Sequence, residues 1–259
     1  MSDAGHKAMS AWDPTLAASL LLRAREDGNR IDELADAVRP NTIEQAYAIQ
    51  DAMVRQQGRV GAWKVSPMRP GAPPNCAPIA ASHLHASPAG ITGIAAPEVE
   101  VEIAVRLGRD LPAREAAYEA DEMRAAVAAL HPAIEVLDSR FLDRRAVSPF
   151  SAMADGQSNA AVVIGEGLEG WDGLDLGRVA IRLRIAGREC AATDGGAGTD
   201  NVLAALAWLA NHAAARCGGL KKGDVVITGA RIGPWSVTEL PAEVAADVAG
   251  LGNVTITFS

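Results

Sequence analysis

The chain has 259 residues, of which 49% are hydrophobic and 22% charged, the composition of a globular protein with room for one large domain or two small ones. A formal net charge of −8, with no basic cluster interleaved with aromatics, argues against a nucleic-acid partner. No stretch reaches the roughly 18 apolar residues of a membrane span, and residues 1–12 are polar, so neither a membrane partner nor a signal peptide is expected and a cytoplasmic location follows.

Asp13-Pro14 is a helix start, an N-cap followed by proline at the first helical position, and Leu16, Leu20 and Ala24 then share a face before Gly28 stops the run. Thr42-Ile43-Glu44-Gln45 fits a capping box and opens a second amphipathic helix that ends at Gly58. Val60 to Ser66 reads as a strand that carries Lys64 among uncharged neighbours. Prolines at 67, 70, 73, 74 and 78 then rule out a regular helix or a central strand, leaving a loop or junction. Within and after it, His83 and His85 are read as hydrogen-bonded filler. Cys76, Cys190 and Cys217, which form no C-x-x-C pair, are read as reduced structural thiols.

From Pro97 to Val105 the chain alternates strictly, placing Glu98, Glu100 and Glu102 on one strand face and Val99, Val101, Ile103 and Val105 on the other. Carboxylates one strand step apart have backbones about 7 Å apart, close enough to share one hard cation. A helix is expected from Asp121 to Leu130, closed by Pro132, and a strand from Ala133 to Leu137. Glu135 lies between apolar neighbours on that strand. Burying it ionised and alone is too costly, so it needs a cation, an arginine such as Arg140, Arg144 or Arg145, or a proton. Glu100, Glu102 and Glu135 together form an all-oxygen set suited to Mg²⁺ or Mn²⁺.

Further strands are expected at 160–164, 179–185, 224–228 and 254–258, with a helix from Thr199 to about Arg216. Gly196-x-Gly198 is followed by Asn201 where the dinucleotide pattern needs glycine, and Gly156-Gln157-Ser158-Asn159-Ala160 lacks the last glycine of a nucleophile elbow. Clustered strands with few alternating helices give an α+β fold, a helical N-terminal part (1–70) on a mostly β part (71–259) that carries the three glutamates.

Several stretches then occur in a telling order. They are Gly61-Ala62-Trp63-Lys64-Val65, Glu100-Val101-Glu102-Ile103-Ala104, Ala133-Ile134-Glu135-Val136-Leu137-Asp138-Ser139-Arg140, Asp155-x-x-Ser158, Ala207-Trp208-Leu209-Ala210-Asn211 and Leu220-Lys221-x-Gly223-Asp224-x-Val226-x-Thr228-Gly229. Together they resemble the 2-keto-4-pentenoate hydratase and 4-oxalocrotonate decarboxylase family of the fumarylacetoacetate hydrolase superfamily, over nearly the whole chain. The resemblance implies Glu100, Glu102 and Glu135 as divalent-metal ligands, Lys64 as the catalytic lysine, Ser158 near the substrate, and a homo-oligomer. It also implies a lyase acting on a small 2-oxo or 2-hydroxy-dienoic acid in aromatic catabolism, a hydratase first and a decarboxylase as the alternative. Retro-Claisen cleavage, tautomerisation and a non-catalytic binding or partner subunit remain open. Three places depart from the pattern: Val65-Ser66-Pro67 after the lysine, the absence of the usual Asp near Cys76 to Ala81, and Ala230 in place of Ser. The proton-transfer partner of Lys64 is therefore open.

Overall fold

The structure is a computed structural model that describes residues 12–259; residues 1–11, on which the expectation about a signal peptide rests, lie outside them. The helices are α1 (Pro14–Glu26), α2 (Ile43–Gln57), α3 (Ala120–Ala126), α4 (Pro149–Ala154) and α5 (Thr199–Cys217). The strands are β1 (Val60–Val65), β2 (Cys76–Ala80), β3 (Leu84–Ala86), β4 (Ala89–Ile91), β5 (Glu98–Leu107), β6 (Leu111–Pro112), β7 (Val127–Leu137) and β8 (Asn159–Ile164). They continue with β9 (Leu168–Glu169), β10 (Ile181–Ile185), β11 (Arg188–Thr193), β12 (Gly219–Leu220), β13 (Val225–Ile227), β14 (Ile232–Ser236), β15 (Ala242–Val248) and β16 (Gly252–Phe258). None of these helices is long and apolar enough to cross a membrane.

The expected caps form. Asp13 accepts from the Thr15 amide at 2.8 Å, and Thr42 Oγ1 accepts from the Gln45 amide at 3.3 Å, while Gln45 Oε1 reaches back to the Asn41 amide at 2.7 Å. The buried face of α1 runs through Ala17, Ala18, Leu21, Leu22 and Ala24, with Leu20 packed beside it; of the expected stripe only Leu16 turns outward, at 55% exposure. Small residues face inward because α1 packs directly on α2, and the two form an apolar cluster with Phe141, Val147 and Ala154.

The main sheet has the order β2-β1-β13-β5-β7-β8-β3, with β14 added to β5 and β9 to β7. Residues 60–65 thus form an inner strand, paired in parallel with β13. The proline-rich stretch ends in β2, and this strand tolerates Pro78 because it lies at the sheet edge. One sheet face buries Trp63, Val99, Val101, Ile103 and Val105 against the strands β10, β15 and β16 and helix α5. Each such side chain contributes on the order of 1.5–3 kcal/mol of burial. On the opposite face Ala62, Ala104, Ala133, Val225 and Ile227 fill the middle.

The helix expected to run to Leu130 stops at Ala126, and Val127 to Pro132 belong to β7. The helix propensity of Ala128 and Ala129 is overridden by pairing with β5, where Ala129 faces Arg106 and Pro132 faces Ile103. Pro132 has no donor, but its carbonyl accepts from the Gly165 amide at 2.8 Å. Strands β11, β14 and β15 and helix α4 carried no sequence expectation and complete the second sheet and the wall beside the site.

Beneath that wall, Arg140 and Asp155 form an ion pair, with 3% and 1% side-chain exposure. Arg140 also donates to the carbonyls of Asn159 at 2.7 Å, Asp138 at 3.0 Å and Asp155. Removing one member leaves the other charge buried and alone, which typically costs about 3–5 kcal/mol. Asp155→Ala is therefore expected to lower the unfolding free energy by about that amount, measured by urea denaturation.

Candidate metal centre

The alternation of β5 and its register with β7 bring the acidic side chains together. Glu100 pairs directly with Glu135, and Glu102 pairs with Ala133 one step along the same face. Ligand oxygens of Glu100, Glu102 and Glu135 lie within 4.8 Å of one another. Lys64 comes from β1, on the other side of β13, and donates from Nζ to Glu135 Oε1 at 2.7 Å. Asn159, the first residue of β8, donates from Nδ2 to the same oxygen at 2.7 Å. The second oxygen of Glu135, Oε2, is buried without a hydrogen-bond partner among the described residues. A buried carboxylate oxygen with no donor is an acceptor waiting for a cation.

Glu102 is held from the other side. Its Oε2 accepts from the Gly229 amide at 2.6 Å, and Gly229 has φ 101, a left-handed conformation that favours glycine. A Cβ there would also lie 2.6 Å from Cδ of Pro67, so this close approach admits no side chain.

Three carboxylates against one ammonium leave a formal charge of −2 in a pocket where Glu102 is 2% and Glu135 0% exposed. Burial first, and then the neighbouring Glu135 carboxylate, push Glu100 up to about 7 and Glu102 well above the usual carboxylate range. Burial opposes the charge of Lys64, yet Glu135, and after it Glu102 and Glu100, outweigh it and hold the ammonium above its ordinary value. The protein groups by themselves therefore keep Lys64 protonated. A cation drawing off the carboxylate charge works in the lowering direction.

Other expected partners are placed elsewhere. Arg140 is committed to Asp155, and Arg144 Nη2 pairs with Glu98 Oε2 at 2.7 Å, so neither neutralises Glu135. That pairing also withdraws Glu98 from the cluster, although it shares the strand face. His83 lies in a separate small cavity with Arg25 and Arg140, where burial, then the two guanidiniums, lower it to about 4 and keep it neutral. Cys76, Cys190 and Cys217 are free thiols.

A cavity of about 470 Å³ opens over the cluster, and Lys64, Glu100, Glu102, Asn75 and Gln157 are among its walls. Ser158 follows Gln157 in the short turn Gly156–Ser158, is 4% exposed, and does not itself line this cavity. The sequence reading missed Asn159, Gln157 and Asn75. The only signal was position, since Asn159 directly follows the Asp155-x-x-Ser158 match.

Residues 53–259 match the fumarylacetoacetate (FAA) hydrolase C-terminal family. The chain is 33% identical to a 2-keto-4-pentenoate hydratase of Burkholderia vietnamiensis, over 95% of this chain and 99% of that one. It is 30% identical to 2-keto-4-pentenoate hydratase 2 of Dechloromonas aromatica, over 95% and 97%. Its fold is similar to that of 4-oxalocrotonate decarboxylase from Pseudomonas putida G7, complexed with calcium and acetate, at TM-score 0.81 and 20% identity, over 95% and 97% of the two chains. Matched nearly end to end, with its glutamate-bearing strands β5 and β7 inside the family region, the chain belongs to the fumarylacetoacetate hydrolase superfamily, in the family of the 2-keto-4-pentenoate hydratases.

Proposed function

We propose that the protein is a divalent-metal-dependent hydratase that adds water to a short 2-hydroxy-2,4-dienoate of the 2-keto-4-pentenoate kind, a step in aromatic catabolism. The observation that carries this reading is the buried Oε2 of Glu135, which has no hydrogen-bond partner among the described residues, inside a ring of three carboxylates on a chain similar over almost its full length to proteins named 2-keto-4-pentenoate hydratase. Glu100, Glu102 and Glu135 are the ligands, and an oxygen-only set favours Mg²⁺ or Mn²⁺. When bound, such a cation supplies Lewis-acid polarisation of a 2-oxo acid's carboxylate and adjacent oxygen.

The chain's own residues do the rest. Lys64 is the catalytic lysine, held over the cavity by Glu135, and stabilises or moves a proton at the substrate oxygen. Asn159 fixes the Glu135 carboxylate, leaving Oε2 as its free ligand atom. We place Ser158 as a substrate contact in the turn that also carries Gln157 and Asn159. A cavity of about 470 Å³ suits a small acid. Decarboxylation of an oxalocrotonate-like diacid is the second reading, favoured by Arg69 on the same cavity, whose guanidinium suits a second carboxylate.

The decisive assay incubates the protein and Mg²⁺ with a 2-hydroxy-2,4-dienoate and with an oxalocrotonate-like diacid. Chelator-sensitive gain of water is expected, and carbon dioxide release alone would transfer the assignment to the second reading. In the same assay Lys64→Ala is expected to keep the fold and the cation but lose about a hundredfold or more in turnover. By calorimetric titration Glu100→Gln and Glu135→Gln should each weaken Mg²⁺ binding by more than the roughly 10- to 100-fold typical of residues that only orient ligands. Glu98→Gln should leave it unchanged.

The pH dependence of stability has a defined sign. Without a cation, Glu100 titrates near 7 in the folded state against its ordinary 4.5, so the native state binds the extra proton between those values. Stability is expected to fall as pH rises through that window. Protons compete with the cation for the same oxygens, so the rise in Tm on adding Mg²⁺ should be larger above the window than at its acid end. Thermal unfolding with Mg²⁺ and with chelator checks both.

A further inference from the structure

We propose that the side-chain amides of Gln157 and Asn75 hold and orient the water that is added to the substrate; this rests on the hydratase reading above. The placement of Gln157 is unusual. Gln157 and Ser158 are consecutive non-glycine residues with φ 55 and φ 69, a conformation that L side chains adopt at a cost. Such a turn persists only where its surroundings enforce it. Here the Ser158 amide donates to the Asp155 carbonyl at 3.2 Å, Ser139 Oγ donates to Asp155 Oδ2 at 3.2 Å, and Arg140 is bonded to both the Asp155 carboxylate and the Asn159 carbonyl. The result is that Asn159 turns inward onto Glu135 while Gln157 faces the cavity that contains Lys64.

Asn75 meets it from the opposite wall. The Asn75 amide donates to Ser66 Oγ at 2.9 Å, and the Ser66 amide donates to the Asn75 carbonyl at 2.9 Å, which fixes Asn75 against the strand end that bears Lys64. Gln157 Nε2 then donates to Asn75 Oδ1 at 3.0 Å. Gln157 Oε1 can still accept and Asn75 Nδ2 can still donate, since neither has a hydrogen-bond partner among the described residues and both residues line the cavity. Water and hydroxyl groups can both accept and donate, so they match this pair. A carboxylate only accepts, so it could use the amide N–H groups but not Gln157 Oε1.

Among the residues lining the cavity, no aspartate or histidine is available for the task. Glu100 and Glu102 belong to the cation, and Arg144 is paired with Glu98. The amides themselves neither gain nor lose a proton. In the keto form of the substrate the water oxygen forms the new bond to C4, the C3–C4 π pair moves to C3, C3 takes up a proton, and the water releases one. The sum is the addition of one H2O, with nothing oxidised or reduced. The preceding conversion of dienol to ketone, in which a proton leaves the 2-hydroxyl and another arrives at C5, uses no water molecule as nucleophile. The two steps must therefore respond differently to loss of the amide pair.

The test follows both steps by NMR in D2O with Mg²⁺, reading ketonisation from deuterium at C5 and hydration from the 4-hydroxy product. In Gln157→Leu and Asn75→Ser the ratio of hydration to ketonisation is expected to fall by roughly tenfold or more, the loss of about one well-placed hydrogen bond. Mg²⁺ affinity by calorimetry and the unfolding midpoint should match the wild type. An unchanged ratio, or equal losses in both steps, overturns the assignment and leaves Gln157 and Asn75 as structural. Should the strained turn fail to fold in Gln157→Leu, Asn75→Ser, which lies outside it, decides the matter by the same ratio. A wild-type protein that neither ketonises nor hydrates any 2-hydroxy-2,4-dienoate overturns the hydratase reading first, and this assignment with it.

Discussion

The constraint on which this structure turns is the confinement of three carboxylates to one buried sheet face. Left to themselves they repel, and two of them are pushed toward the protonated state. One lysine offsets part of the charge, through a single oxygen of Glu135. The protein meets the remaining cost with rigidity. All three glutamates project from the central strands β5 and β7, whose backbone is paired on both sides, so the cluster cannot relax by spreading apart.

The flanking elements serve that rigidity. On one side the segment from Thr228 to Arg231 brackets the strand around Glu102: Thr228 Oγ1 donates to the Ile103 carbonyl at 2.8 Å, and the Arg231 amide donates to the Val101 carbonyl at 2.8 Å. On the other, the buried Arg140 and Asp155 pair sets the backbone of Asn159, and Asn159 sets Glu135. A polar network below the surface is stabilising only when its members are satisfied, and here the polar side chains of Ser139, Arg140, Asp155 and Asn159 that lead to Glu135 all have partners. Glu135 Oε2 is the exception.

The proline-rich segment is better fixed than its composition suggests. Asn201, near the start of α5, accepts from the Met68 amide at 3.0 Å and donates to the Met68 carbonyl at 2.9 Å. Ser66 and Asn75 close its neck. The residue that breaks the dinucleotide-like glycine pattern is thus the one that fastens the cavity's outer wall to the helix, which gives that asparagine a structural use.

The sequence alone determined the glutamate-bearing strand, the helix caps at Asp13 and Thr42 and the α+β class, because period-two alternation and capping chemistry are local and read directly from neighbouring residues. The inward position of Glu135 was also legible, since an acid flanked by apolar neighbours on a strand is carried into the core along with them. Only the tertiary structure decided which partner Glu135 takes, because Lys64 is distant in sequence and arrives through the parallel pairing of β1 with β13, whereas the arginines near in sequence turn to Asp155 and Glu98. It likewise decided that residues 127–132 join a strand, since pairing with β5 outweighs local helix propensity. The roles of Gln157 and Asn75 were invisible for the same reason: their hydrogen bond spans 82 residues of chain, and no local pattern records a contact that exists only when two walls of a cavity meet.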